Sequence, residues 1–226
     1  MSSLEPDEIE VIPFLLDEEE TLPVDEAIEW LSDEERARAD AFRFPVHRDR
    51  FVRGRGMVRR VLGEHLGQSP ASFRFELGNR GKPHLPGGEL HFNLSHSVDR
   101  AALAVSRLPS IGIDIERFDR DVDIDGLSRR CFRQSECDRL AGLDEEARTR
   151  AFFWTWTAKE ARMKATGEGF GLAPQKIEIS FEGEWPEVCL EPASPRAYVA
   201  PVHLPDRGAA CTVAATSPFR IRLREG

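Results

Sequence analysis

Hydrophobic and polar positions alternate most regularly at Ile111-Gly112-Ile113-Asp114-Ile115-Glu116, where the isoleucines fall on one face and Gly112, Asp114 and Glu116 on the other. A period of two predicts a strand with its isoleucines in the core and its two carboxylates roughly 7 Å apart on the opposite face. Leu90, Phe92 and Leu94 alternate in the same way and predict a half-buried strand that ends in the polar donors Ser95, His96 and Ser97. Ala101 to Ser106 reads as its returning partner. Val11 to Leu16 predicts another short strand, followed by an acidic turn. Ile177 to Phe181, Glu187 to Leu190 and Thr212 to Ala215 predict strands of a second sheet.

Between these strands the period changes to that of a helix. Ser32 with Glu35 three residues on forms a capping box and starts a helix that runs to about Phe44, where Pro45 breaks it. A second helix spans about Arg48 to Leu66, with apolar positions at Phe51, Val58, Val61, Leu62 and Leu66, and Gly67 ends it. Gly54 inside it costs about 1 kcal/mol against alanine and predicts a close neighbour. Leu127 to Leu140 reads as helical and includes Glu136. Phe152 to Lys164 is the clearest helix, with strong helix formers from Ala158 onward, no proline, and Gly167 at its stop. On it Trp156, Glu160 and Lys164 lie four apart, stacked on one face with about 6 Å of rise between neighbours. Residues 167–171 read as a flexible glycine loop, and Asn79 to Pro83 as a turn that presents Lys82. Helices beside a sheet recur in each half, so the fold class is α+β, with residues 1–108 and 109–226 as two lobes joined near Arg107 to Ser110.

Charge sharpens this picture. Residues 1–35 hold fourteen Asp and Glu and no Lys or Arg, which leaves the remainder at −9 + 14 = +5. Nine arginines fall between Arg36 and Arg60 against only Asp40 and Asp49, a density that suits phosphate. A net charge of −9 argues against a general nucleic-acid binder, which needs a broad basic footprint. No apolar run has the length of a membrane helix, and the acidic start does not resemble a signal peptide, so a cytoplasmic protein without membrane partners is expected. The four cysteines form no CxxC pair or zinc spacing and read as free thiols. Ser95 and His96 without a G-x-S-x-G elbow do not make a hydrolase. Asp114 and Glu116, with a third carboxylate from the Glu160 helix, are hard oxygen ligands that suit Mg²⁺.

Four blocks in order carry a resemblance. They are Gly81-Lys82-Pro83, Phe92-Asn93-Leu94-Ser95-His96-Ser97, Ile111 to Glu116, and Trp156-Thr157-Ala158-Lys159-Glu160 followed by Lys164. Over about Leu31 to Thr216 the chain resembles the Sfp-type 4′-phosphopantetheinyl transferases. The resemblance implies a pseudo-dimeric α+β fold of two similar lobes with coenzyme A between them. It also implies transfer of phosphopantetheine from coenzyme A to a serine of an apo acyl, polyketide or peptidyl carrier protein. Asp114, Glu116 and Glu160 would hold Mg²⁺, with Mn²⁺ as a substitute. Lys164, His96 and Ser95 would contact phosphate oxygens, Lys82 and Pro83 would border the adenine, and Arg38 would meet the 3′-phosphate. Glu35 departs from the pattern by standing where a second basic residue is expected, with Arg36 or Arg50 as substitutes. Glu160 and Glu136 are the candidates for the base that takes the serine proton. A fused pair of lobes makes a monomer the expectation. Two other classes remain open: a metal-dependent nuclease, disfavoured by Arg117 after Glu116 and by the net charge, and an inactive carrier-binding module, disfavoured by the intact acids.

Overall fold

The computed structural model describes residues 4–78, 81–167, 173–182, 185–189 and 197–224. The first sheet holds β1 (Glu8–Leu15), β4 (His91–Ser97) and β5 (Arg100–Ser106), whose antiparallel pairing brings the polar end of β4 to the sheet edge. Its fourth strand among the described residues is β11 (Arg220–Leu223), which returns from the chain's far end to pair parallel with β1. Three helices cover the sheet: α1 (Val24–Trp30), α2 (Asp33–Asp40) and α3 (Pro45–Leu66). Val52, Val58, Val61 and Leu62 of α3 bury fully in one cluster with Phe92, Leu103 and Val105.

Local chemistry explains these boundaries. Ser32 Oγ accepts from the Glu35 N–H at 3.3 Å and the Glu35 carboxylate accepts from the Ser32 N–H at 3.1 Å, so the capping box forms. Helix α2 stops at Asp40, short of the Phe44 expected, and Pro45 opens α3, because at the first helical turn its missing N–H is not needed. The acidic stretch after Leu16 turns as expected, and past Pro23 comes helix α1, which the sequence pattern did not predict. It sets the close approach at Gly56 rather than Gly54: a Cβ on Gly56 would lie 2.7 Å from Ala27 Cβ, whereas one on Gly54 would meet Leu94 Cδ2 at an ordinary 3.5 Å.

The second sheet orders β6 (Ile111–Arg117), β10 (Ala209–Ala215) and β9 (Tyr198–Pro201). The strands β7 (Glu178–Glu182) and β8 (Trp185–Cys189) pair with each other as a separate ribbon, not with that sheet as expected. The helix expected over Leu127 to Leu140 is two, α4 (Ile124–Cys131) and α5 (Gln134–Ala141). Phe132 interrupts it in an extended conformation, burying its ring against Phe152 at 5.3 Å. Helix α6 (Glu145–Thr166) runs without a break to Gly167, which caps it at φ 68°. The expected glycine loop at 168–171, Leu190, and Asn79 and Arg80 lie outside the described residues.

The two sheets meet along one seam. Ile9, Val11, Ala102 and Ala104 share a core with Ile111, Ile113 and Ile115, so the isoleucine face of β6 packs on the first lobe. The other face of β6 lies under α6. A Cβ on Gly112 would sit 2.1 Å from the Ala161 carbonyl oxygen and 2.5 Å from the Ala165 nitrogen, so the helix crosses the strand where only hydrogen fits.

Candidate active site

That crossing brings the polar residues of β6 and α6 together. Lys164 Nζ donates to Asp114 Oδ1 at 2.7 Å, to Ser95 Oγ at 3.1 Å and to the Ile113 carbonyl at 3.1 Å. Ser95 Oγ in turn donates to Asp114 Oδ1 at 2.8 Å. The second oxygen of Asp114, Oδ2, is buried without a hydrogen-bond partner. Burial pushes the Asp114 carboxyl above its ordinary range even against the pull of Lys164. Glu160 makes no hydrogen bond or ion pair among the described residues. Burial first, and then the charge of Asp114, raise its pKa to about 7. Glu116 accepts from Ser97 Oγ and pairs with Arg120 at 2.6 Å.

The three carboxylates therefore share one polar face, and the charges of Asp114 and Glu116 both act on Glu160, but among the described residues they do not close around a single point as a finished metal cage. Two cations hold two of them: Lys164 lies on Asp114 and Arg120 on Glu116.

Strand β4 fixes β6 from the side. Asn93 Oδ1 accepts from the Ile113 N–H at 2.8 Å, Ser95 reaches Asp114, and Ser97 Oγ both donates to Glu116 and accepts from the Arg117 N–H at 3.2 Å. Every second residue of β4 thus satisfies the outer edge of β6 in place of a neighbouring strand. The alternation at Phe92 and Leu94 already placed Asn93, Ser95 and Ser97 on one face, although neither Asn93 nor Ser97 was among the expected site residues.

Lys82 closes the same edge. Its ammonium donates to the Ile111 carbonyl at 2.6 Å and to the Lys164 carbonyl, near the C-terminal end of α6, at 3.1 Å. Burial, and then the Lys164 charge, lower its pKa to about 8. The lysine expected beside a nucleotide base is thus turned toward the second lobe's backbone, and Pro83 beside it lines the neighbouring cleft.

That cleft has a volume of about 450 Å³ and lies between α2, α3 and the face of β4 that carries Phe92, Leu94 and His96. Arg38, Arg50 and Arg55 line it, together with the imidazoles of His47 and His96. Partial desolvation and then the Lys164 ammonium lower the pKa of His96, which links the cleft to the acidic face. Arg50 is already committed, its guanidinium forked on Asp17 at 2.7 and 2.6 Å. Arg36 turns away, donating to the carbonyls of Leu31 and Glu29. Glu35 also points elsewhere: its carboxylate holds the fully buried Arg59 at 2.6 Å.

Glu136 is not brought to this face. It is buried, with Oε1 accepting from the Ile179 N–H at 2.7 Å and Oε2 from the Arg133 N–H and Lys159 Nζ, each at 2.7 Å. These contacts hold it inside the second lobe, away from Asp114 and Glu160, so this candidate base is not brought to the acidic face. Lys159 also donates to the carbonyls of Pro174 and Ile177, so the pair ties α5 and α6 to the segment before β7.

The model of the 4′-phosphopantetheinyl transferase superfamily matches residues 110–214, the part that contains β6, α6 and β10. The chain is 41% identical over 179 residues to 4′-phosphopantetheinyl transferase HetI of Nostoc sp., covering 77% of this chain and 75% of that protein. It is 32% identical over 189 residues to 4′-phosphopantetheinyl transferase psf-1 of Bacillus pumilus, covering 81% and 72%. Among solved structures, a holo-(acyl-carrier-protein) synthase from Bacillus anthracis in complex with CoA (3′,5′-ADP) aligns with 46% of this chain and 92% of its own, at 23% identity and a TM-score of 0.40.

Proposed function

The chain belongs to the 4′-phosphopantetheinyl transferase superfamily, and on that basis we propose that it moves phosphopantetheine from coenzyme A to a serine of an apo carrier protein. In this reaction the serine oxygen forms a bond to the β-phosphorus of the coenzyme A diphosphate. The bond from that phosphorus to the bridging oxygen breaks, and adenosine 3′,5′-bisphosphate leaves with the electron pair. Such a transfer asks the protein for positioning and for positive charge around the phosphoryl oxygens more than for covalent chemistry. The observation that carries the reading is the crossing at Gly112, which sets Asp114, Glu160 and Lys164 together beside an arginine-lined cleft.

Each residue has a part. The cleft takes the nucleotide, with Pro83 against the base and His96 facing the diphosphate. Lys164, delivered one helical turn beyond Glu160, stabilises charge on the phosphoryl oxygens while keeping Asp114 in place. Ser95 orients both. Glu160, with a pKa near 7, is suited to accept the serine proton directly or through a water.

The acidic face also fits a divalent cation. A buried Asp114 oxygen without a partner and a Glu160 without a hydrogen bond or ion pair, both among the described residues and both with raised proton affinity, leave hard oxygen acceptors for a divalent cation to occupy. Asp114, Glu116 and Glu160 would hold Mg²⁺, or Mn²⁺ in its place, which when bound neutralises diphosphate charge. Residues 1–108, joined by β11 from the second half, serve as the nucleotide lobe, and the rest of 109–226 as the acidic lobe, of a monomer acting in the cytoplasm.

The test is intact-mass analysis of apo acyl, polyketide and peptidyl carriers incubated with the protein, coenzyme A and Mg²⁺. A gain of one phosphopantetheine on at least one carrier, dependent on both additions, is expected. No gain on any of the three would replace this reading with that of an inactive carrier-binding module.

A further inference from the structure

Lys82 is anchored in the first lobe but spends its donors on the second. It stands in the short hairpin of β2 (Glu76–Leu77) and β3 (Pro83–His84), whose turn closes through the Gly78 N–H on the Lys82 carbonyl at 2.9 Å. Gly81 supplies the left-handed bend at φ 76°, which a side chain would strain. Phe75 before the hairpin and Leu85 after it pack on the first-lobe core, with the Phe75 ring 5.2 Å from that of Phe92.

From there the ammonium reaches the two elements whose crossing builds the acidic face. The Ile111 carbonyl at the start of β6 accepts at 2.6 Å, and the Lys164 carbonyl in the last turn of α6 at 3.1 Å. That helix carbonyl is one of the last four, which have no amide ahead of them in the helix, so Lys82 caps α6 from another element. Lys164 Nζ meanwhile donates to the Ile113 carbonyl, two residues and about 7 Å further along β6. The two lysines thus stand side by side on one strand edge, and one of them holds the main chain of the other. No carboxylate pairs with Lys82 among the described residues, and its half-buried ammonium sits near a like charge, an arrangement that costs stability. Lys164 carries its charge on a flexible stem, so the place of its head depends on where α6 lies against β6. Gly112 sets how closely the helix approaches the strand, and Lys82 sets how far along the strand it lies.

We propose that Lys82 is a positioning residue for the transfer, fixing the register of α6 along β6 and so holding Lys164 on Asp114. This rests on the reading of Lys164 as the cation that stabilises the phosphoryl oxygens. The place beside the nucleotide base then falls to Pro83, which lines the cleft, and not to its neighbour.

The experiment compares Lys82→Met, which keeps the length and removes the donors, with Lys82→Arg, which keeps charge and donors. Single-turnover transfer from saturating coenzyme A to an apo carrier is measured beside the calorimetric Kd for adenosine 3′,5′-bisphosphate. Lys82→Met should transfer roughly 10- to 100-fold more slowly, the cost of a misplacement of about 1 Å, with that Kd held within about twofold. Lys82→Arg should fall between it and wild type. In a Lys164→Met background, Lys82→Met should slow the residual transfer by less than about twofold, because the group it positions is gone. Melting curves set a temperature at which each variant is folded, and should Lys82→Met not fold, the same contrast is read on Lys82→Arg. A Kd raised about tenfold or more with an unchanged transfer rate would return Lys82 to the base and overturn the inference. Equal slowing with and without Lys164 would also overturn it, since that marks a general structural effect. Wild type that modifies no apo carrier would instead sink the transferase reading, and the part of Lys82 with it.

Discussion

Replacing Gly112 by alanine tests whether the helix crossing governs activity. The added methyl would point at the backbone of α6, 2.1 Å from the Ala161 carbonyl oxygen and 2.9 Å from Lys164 Cβ. Backbone atoms cannot rotate away, so α6 must lift by about 1 Å to restore ordinary contact distances. Overpacking of this kind costs about 1–3 kcal/mol. The second effect is geometric. Lys164 and Glu160 ride on the helix while Asp114 stays with β6, so the Lys164–Asp114 contact at 2.7 Å stretches by the same amount. A misplacement of about 1 Å costs about 100-fold in rate. Urea unfolding should show the stability loss, and single-turnover transfer to a carrier should show the rate loss at a temperature where the variant is fully folded. Leu62→Ala, in the first-lobe core, is the control, because it destabilises by about 2–5 kcal/mol without touching the crossing. If Gly112→Ala loses stability but transfers no more slowly than Leu62→Ala, the crossing does not position the catalytic groups.

Three other outcomes are expected. Glu160→Gln should lower kcat by about 10²–10⁴-fold in the transfer assay, and full rescue by excess Mg²⁺ would reduce its role to ligation. Glu136→Gln should act on stability, because it leaves the Lys159 ammonium buried without its counter-charge at a cost of about 3–5 kcal/mol; thermal melting measures this, and an unchanged melting temperature with lost activity would contradict it. Glu10 carries a pH dependence: burial alone would raise its pKa, but contacts from His65 and Arg224 outweigh that and bring it from 4.5 to about 2. A depressed carboxylate stabilises fully above its unfolded pKa and loses that contribution as pH falls, so about 3 kcal/mol should disappear between pH 4.5 and 2, and in urea titrations Glu10→Gln should differ from wild type at pH 7 but converge with it at the acid end.

The acidic face was legible because local periodicity encodes it. Three isoleucines at a spacing of two can bury on one side only, which turns Asp114 and Glu116 toward α6, and an unbroken run of helix formers aligns Glu160 with Lys164. Partners supplied from distant parts of the chain left no such trace. Glu136 looks like any acidic residue early in a helix until Lys159 and the Ile179 N–H close on it from 23 and 43 residues away. The arginine cluster behaves likewise: nothing local separates Arg50, which Asp17 neutralises, from Arg55, which it does not. Helix α1 was not predicted because it is only seven residues long and its close packing depends on Gly56, outside its own segment. The break at Phe132 depends on a ring 20 residues further along, Phe152. Strand β11, only four residues long, is specified mainly by the edge of β1 that it meets.

That last pairing has a consequence for the order in which the molecule can be made. Ile9 and Val11 find Ile221 and Leu223 as parallel neighbours, so the strand nearest the start of the chain is completed by the strand nearest its end. During synthesis the edge of β1 stays uncovered until Arg220–Leu223 has been made, and a sheet closed by so long a loop forms slowly. An unpaired edge of this kind is where intermolecular association begins. A fragment containing residues 1–108 alone would keep that edge open permanently, so the half of the protein that holds the arginine cleft depends on the other half for its solubility as well as for its chemistry.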